Sequence, residues 1–600
     1  MIDTFQLVQA FQQARRDLLA ERTPEGHWVG ELSNSALSTA TAISALTLLA
    51  RETSIASRRQ AATALAERGI DWLAHHQNHD GGFGDTDKSK SNISTTYLVI
   101  AALHLAEKEG THQELLERAN AFVEKEGGLE ALQRRYGNDK TFVVPILTNL
   151  ALAGIVPWRK VPPLPFELSL LPQSFYRLAR MPVVSYAIPA LVTIGQACFF
   201  HRKPRNPLSW LARRASLKRS LDVVAKMQPK SGGFLEAVPL TSFVMMSLAA
   251  TGRADHKIVE QGLDFLVSSV HHEGSWPIDE NLATWVTSLS VSALALPSGD
   301  VGAIRCLSWL LSCQHTRVHP FTGAEPGGWG WTDLSGAVPD VDDTAGALLA
   351  LCHLRKSAPD HHRVIIDAAL RRGFRWLLDI QNKDGGFPTF CRGWGKLPFD
   401  RSSTDLTAHV LRAFRCWQGR DVLGMELEER VEESLIRGFS FLEKSQHEDG
   451  SWEPLWFGNQ DHPREANPVF GTARVLLAYR DFEKMETPAA QRAVTFLCEQ
   501  QTACGGFSGA SSTGHPTTEE TAVTVEALLA VKEPSEQVAN AVEEGVRWLM
   551  HATYEHRHRE TAPIGFYFAK LWYYEKLYPQ IFTTSALGRA VEKFVEISEP

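Results

Sequence analysis

A short block recurs along this 600-residue chain: an aromatic-aliphatic helix end, a Gln, a polar turn, then Gly and an aromatic residue. Its copies read GIDWLAHHQNHDGGF (69–83), SLDVVAKMQPKSGGF (220–234), GLDFLVSSVHHEGSW (262–276), GFRWLLDIQNKDGGF (373–387), GFSFLEKSQHEDGSW (438–452) and AVTFLCEQQTACGGF (493–507). CLSWLLSCQHTRVHPFTGAEPGGW (306–329) is the same block with a longer turn, and PEGHW (24–28) is a truncated copy. A repeat of this length constrains the fold before any local detail, because one unit cannot bury its apolar face without its neighbours.

Each copy precedes an apolar helix opening on Thr, Ser or Asp, as in STTYLVIAALHL (94–105), DVDDTAGALLALCHL (340–354) and TEETAVTVEALLAV (517–531), and such openings read as N-caps. The unit is therefore an amphipathic outer helix followed by a nearly all-apolar inner one. Closing such pairs into rings predicts an all-α fold of α/α barrels with pockets at the N-terminal ends of the inner helices. The length favours two or three domains, two large helical ones being as consistent with it as four small ones.

Hydrophobic residues at 44%, charged residues at 22% and a net charge of -8 describe an ordinary globular chain and exclude a nucleic-acid partner. The eight cysteines form no CxxC pair, so they read as buried thiols of a reducing compartment without disulfides. The amphipathic start MIDTFQLVQAFQQARRDLLAER lacks the apolar core and cleavage site of a signal peptide, which makes the cytoplasm the expected location. Residues 181–200, MPVVSYAIPALVTIGQACFF, carry no charge but hold Pro189 and Gln196, and are expected to form a buried helix rather than a span. The Pro- and aromatic-rich stretch near 128–215 lacks the repeat and is expected to line a channel. After it, residues 201–230 carry nine Lys/Arg and one acid, Asp222, around Trp210 and several leucines, a mixture suited either to an anionic bilayer or to a solvated face.

Asp340, Asp342 and Asp343, within PDVDDTA (339–345), are the sharpest chemical feature. Three carboxyl groups crowded at a helix start repel one another, so at least one should keep its proton near neutral pH and can serve as an acid. The plainer alternative is an N-cap Asp with two acids favouring the helix dipole. PGGWGW (326–331) before them and an apolar inner helix after them aim the acids inward.

Together these motifs resemble the squalene-hopene cyclase family and its triterpene cyclase relatives, over about Trp28 to Arg589. The repeats match that family's QW turns and PDVDDTA its acid motif. The resemblance implies two α/α barrels, divided here as 1–25 for a helix packing on the catalytic barrel, 26–281 for the second barrel with a membrane-facing segment near 201–221, and 282–600 for the catalytic barrel. It implies protonation of a terminal alkene of squalene or a similar isoprenoid, cyclised to a hopene-like product. It also implies peripheral attachment to the cytoplasmic side of the membrane, no metal and no organic cofactor. A homodimer stays open.

Carried over by motif, Asp342 is the proton donor, flanked by Asp340 and Asp343; His409, in TDLTAHV, matches the histidine bonded to it, as an imidazolium stabilising the carboxylate; and Asp405 matches a nearby carboxylate. Trp285 and Trp456 match cation-facing tryptophans. Trp331, Phe390 and Phe470 stand where the family usually has Phe, Tyr and Tyr; Tyr567 stands where Phe is common, and Tyr574 matches a Tyr. Leu191 and Pro563 replace aromatics, which puts the product in doubt. The same acid motif serves cyclases of shorter or diphosphorylated prenyl chains, although no basic cluster lies beside it in sequence. An α/α barrel would also suit a sugar-active enzyme, against which the apolar inner helices argue, or a non-catalytic lipid-binding toroid.

Overall fold

The computed structural model describes residues 2–137, 140–172, 175–176, 184–296, 301, 304–320, 322–393, 395–420, 422–565 and 570–595. Among them every regular element is a helix, and the few β-bridges are isolated pairs. The predicted all-α architecture of α/α barrels is what forms.

Helices Ala283–Leu294, Val341–Ser357, Thr404–Trp417, Pro468–Asp481, Thr518–Leu528 and Tyr578–Phe594 pack each on the next, and the last returns to the first, closing a ring. Outer helices stand behind it, including Asp360–Ile380, Met425–Ser445, Pro488–Glu499 and Glu536–Tyr554. The N-terminal helix Thr4–Ala20 fills the outer place against Tyr578–Phe594, so the two ends of the chain complete the same barrel. A second ring joins Ala36–Glu52, Ile93–Leu105, Lys140–Leu152, Val184–His201 and Val238–Ala249, with the last packed on the first. Two of those inner helices come from the stretch near 128–215, which therefore supplies barrel wall rather than only a channel lining. Among the described residues no helix is long and apolar enough to cross a membrane.

The repeated residues each hold one part of the unit. The Gln side chain of Gln77, Gln228, Gln314, Gln381, Gln446 and Gln501 donates both to a glycine carbonyl of its own turn and to a carbonyl of the following outer helix, at 2.7–3.1 Å. One amide thus ties adjacent repeats. Val270 occupies the Gln place in the copy at 262–276. The aromatic that ends each turn is buried, and its backbone N–H donates to a threonine of an inner helix: Phe83 to Thr96, Trp329 to Thr344, Phe387 to Thr407, Trp452 to Thr472 and Phe507 to Thr521, at 2.8–2.9 Å. These threonines lie about one turn inside the helices, and of the openings read as N-caps Asp340 and Thr517 do cap their helices. The caps are supplied by Ser35, Asn92, Asp340, Asn467 and Thr517, while the starts at Val238, Ala283 and Thr404 carry no side-chain cap.

The cysteine expectation is corrected. Cys352 and Cys416 form a disulfide with Cα atoms 6.6 Å apart, joining the two neighbouring inner helices that carry Asp342 and His409. Cys504 is exposed, and Cys313 and Cys391 are half-buried. The bridge spans 64 residues of sequence, and nothing short of the helix pairing brings the two thiols together.

Candidate active site

Asp340 caps the helix Val341–Ser357: its Oδ1 accepts the Asp343 N–H at 2.9 Å, and its own N–H donates to the Trp329 carbonyl at 2.9 Å. The last aromatic of the 306–329 block thereby sets where the acids begin. Asp340 and Asp343 are buried at 4% and 6% exposure, whereas the Asp342 side chain keeps 18%. Asp342 is the acid that faces open space. Its Oδ1 lies 2.5 Å from Nδ1 of His409, which is itself buried on Thr404–Trp417. Gly346, one turn beyond Asp342, lies beside His409 and Trp285, which a Cβ there would meet at ordinary contact distance.

Burial dominates the electrostatics. It pushes Asp340 up to about 7 and, with Asp340 and Asp342 as like-charged neighbours, Asp343 well above the carboxylate range. Burial thus favours the protonated form at both flanking members of the motif. Asp405 rises to about 6 through burial and the proximity of Asp342; it accepts from the Ser403 hydroxyl and from the Leu455 N–H at 3.3 Å. The His409 ring is pushed below its ordinary value by burial, against the pull of Asp342, and the Arg474 and Arg412 guanidinium groups add to the fall. An imidazolium was expected here. Enclosure among buried helices and two nearby cations disfavour that charged form.

Two aromatic groups flank this pair. In the first, Phe390 is the hub, with ring centroids of Tyr186, Phe399, Trp456 and Trp331 at 5.1, 5.3, 6.2 and 6.3 Å. The Trp456 indole donates to Thr389 at 3.2 Å, and the Thr389 carbonyl accepts the Val341 N–H at 2.9 Å, so this wall is fastened to the acid helix. In the second, Phe470 stacks on Phe457 at 4.5 Å and meets Phe582 at 6.1 Å. Trp285 joins the groups: it stands edge-on to His409 at 5.8 Å and its indole donates to the Tyr578 hydroxyl at 3.1 Å. The Tyr578 hydroxyl in turn meets that of Tyr573 at 3.1 Å.

Trp285 thus meets His409; Trp331, Phe390 and Trp456 form the wall fastened to the acid helix, and Phe470 connects to Trp285 through Phe457 and Tyr578. Tyr574 is placed differently. It is half-buried, its hydroxyl donates to Asp87 at 2.8 Å, and the Lys88 ammonium lies 4.6 Å over its ring. Its neighbour Tyr573 is the buried one, close enough to Asp342 and Asp343 to feel their charge. No pattern in GFYFAKLWYYEKLYP distinguishes the two tyrosines. Tyr567 lies outside the described residues. Arg474 was also missed, although a lone cation inside VFGTARVLLAY was a usable signal. Two surface hollows of about 360 and 310 Å³ are lined by none of these acids.

The arrangement is suited to acid chemistry on an apolar substrate: a carboxyl group at an open face, hydrogen-bonded to the His409 imidazole, beside aromatic rings that can hold a cation through their quadrupoles at about 0.5–2 kcal/mol each.

The model of the squalene-hopene cyclase C-terminal domain matches residues 283–592, and that of the N-terminal domain matches residues 11–209. The chain belongs to the squalene-hopene cyclase family. That family belongs to the class II terpene cyclases. Among curated relatives, the enfumafungin synthase of Hormonema carpetanum is 25% identical over 94% of this chain and 47% of its own length. The squalene--hopene cyclase of Alicyclobacillus acidocaldarius is 25% identical over 79% of this chain and 80% of its own. A drimenyl diphosphate synthase of Streptomyces showdoensis is 28% identical over 42% of this chain and 40% of its own. The chain spans about half the length of the first curated relatives it matches. Among solved structures, the ent-copalyl diphosphate synthase from Streptomyces platensis superposes with a TM-score of 0.58 at 16% identity, over 98% of this chain and 99% of that one, a likeness of fold.

The buried acids also set a pH dependence. Burial raises Glu519 and Glu575 to about 8 and Glu236 and Asp340 to about 7. Between the ordinary carboxylate value near 4 and those folded values, the folded chain holds protons that the unfolded chain has released, so stability falls as pH rises. Melting temperature should therefore decline from about pH 5 to about pH 8. Glu519→Gln should flatten the decline, and identical slopes in wild type and variant would refute it.

Proposed function

We propose that this chain protonates a terminal alkene of squalene or a similar long isoprenoid through Asp342 and guides the resulting carbocation through polycyclisation to a hopene-like product. The observation that carries this is the Asp342–His409 contact at an open face between the two aromatic groups. Protonating an unactivated alkene requires a strong acid and a surface that offers the cation no nucleophile, and both are supplied by side chains of this chain. The test is incubation of purified protein in detergent with squalene and, separately, with geranylgeranyl diphosphate, followed by mass spectrometry of the extracts. Conversion of squalene to cyclic isomers supports the reading. Conversion of the diphosphate alone would favour the second reading, cyclisation of a shorter prenyl diphosphate, which the likeness to a drimenyl diphosphate synthase motivates.

Docking on the cytoplasmic side of a membrane, where a squalene-like hydrocarbon would reside, is part of the same proposal. Exposed Leu168, Leu170, Phe200, Leu208 and Leu211 lie on elements that pack on one another, Phe166–Leu170, Val184–His201 and Pro207–Met227. Lys203, Arg213 and Arg214 stand over aromatic rings of the same elements. Apolar tips within a basic rim suit an anionic bilayer. The chain should sediment with phosphatidylserine-containing liposomes, and Arg214→Ser combined with Lys218→Ser and Leu208→Ser should reduce the bound fraction severalfold. Equal sedimentation would leave a solvated face.

A further inference from the structure

The inner helix Pro468–Asp481 carries a cation in its first half, Arg474, between apolar neighbours of its own helix. A cation beside a path for carbocations is unfavourable unless a neighbouring group becomes negative. The helices locate that group. Arg412 Nε and Asp481 Oδ2, 2.9 Å apart, clasp Thr404–Trp417 to Pro468–Asp481. Counting back toward the N-terminal ends at about 1.5 Å per residue, Arg474 falls level with the turn from Asp405 to His409. The neighbouring carboxylates already have partners: Asp481 holds Arg412 and Arg480, and Glu526 holds Arg480 and the Ser585 hydroxyl. The charged groups near enough to act on the Arg474 charge are Asp342, Asp405, Arg412 and Glu526. Burial makes its charge costly, yet like Asp342 it keeps some accessible surface.

We infer that Arg474 is a positioning residue that strengthens Asp342 as an acid, its guanidinium stabilising the carboxylate that remains once the proton has passed to the alkene. This rests on Asp342 being the donor. His409 holds the carboxyl group in place by its hydrogen bond, and the buried guanidinium, always protonated, supplies a positive charge from the neighbouring helix.

The experiment compares wild type, Arg474→Met, Arg474→Lys and Asp342→Asn on squalene, or on geranylgeranyl diphosphate should that be the substrate consumed. Circular dichroism selects folded proteins, and Arg474→Gln replaces the Met variant if that does not fold. Arg474→Met should lower kcat about 10–100-fold with KM changed less than about threefold, and Lys should restore most of the rate. The alkaline limb of the Met profile should move to higher pH, since the acid cluster gives up its proton less readily without the guanidinium. Equal losses in Met and Lys with an unmoved limb would mean a structural role and overturn the inference, as would a wild-type rate in Met. Turnover by Asp342→Asn would remove the donor reading and this inference with it. An inactive Asp342→Asn beside a wild-type Arg474→Met would overturn this inference alone.

Discussion

Asp342→Asn is expected to leave a folded chain that converts no measurable substrate. The amide keeps the size of the carboxyl group and can still bond the His409 ring, while the cap at Asp340 and the buried Asp343 are untouched. What disappears is a transferable proton at the open face. General acid catalysis contributes up to about 10⁴-fold, or roughly 5.5 kcal/mol of barrier, and an alkene with no other acid at hand should lose at least that much. His409→Ala should cost less, because the ring orients the donor without being the proton source. Product formation by gas chromatography, on protein whose circular dichroism matches wild type, decides the point. Turnover by Asp342→Asn within tenfold of wild type would move the chemistry to another acid, Asp405 first.

Trp329→Ala should give the largest loss of stability, about 3–5 kcal/mol, the range for deleting a fully buried large aromatic. Trp329 is fully buried, its indole donates to the Leu310 carbonyl at 2.8 Å, its N–H to Thr344 at 2.9 Å, and its carbonyl takes the Asp340 N–H at 2.9 Å. Its ring lies against Gly373 of Asp360–Ile380, where a Cβ would come within 3.1 Å of Cζ3. Alanine retains the backbone bonds but empties the space between inner and outer helices. Because the same residue positions the cap of the acid helix, activity should fall further than stability alone explains. Trp309, half-buried and stacked on His27 at 4.1 Å, is the comparison, and its alanine variant should cost no more than about 1 kcal/mol. Equal denaturant midpoints for the two variants would show that the buried indole is not what holds the repeat.

The repeat determined the fold because each of its residues acts within its own unit or on the next one. Gln381 reaches the carbonyl of Gly385, four residues on, and that of Ser434, on the next outer helix. Phe387 meets Thr407 on the helix that follows it. Such contacts recur with the motif, so they are legible in the motif. The acids were legible for the same reason: Asp340 caps its own helix, and its neighbours follow in sequence. The tertiary structure alone decided what depends on one helix lying beside another. Packing of Val341–Ser357 on Thr404–Trp417 brings Cys352 to Cys416 and Asp342 to His409, and closure of the barrel by Thr4–Ala20 joins the chain's first helix to its last. The lowered proton affinity of His409, expected as an imidazolium, comes from burial and from the cations Arg474 and Arg412, carried by two different helices. Tyr573 and Tyr574 are adjacent and chemically identical, and the backbone path after the last turn sends one hydroxyl to Tyr578 and the other to Asp87. A side chain's identity is local, but its charge state and its partners are set by the desolvation and neighbours that distant segments bring, and those exist only once the rings have closed.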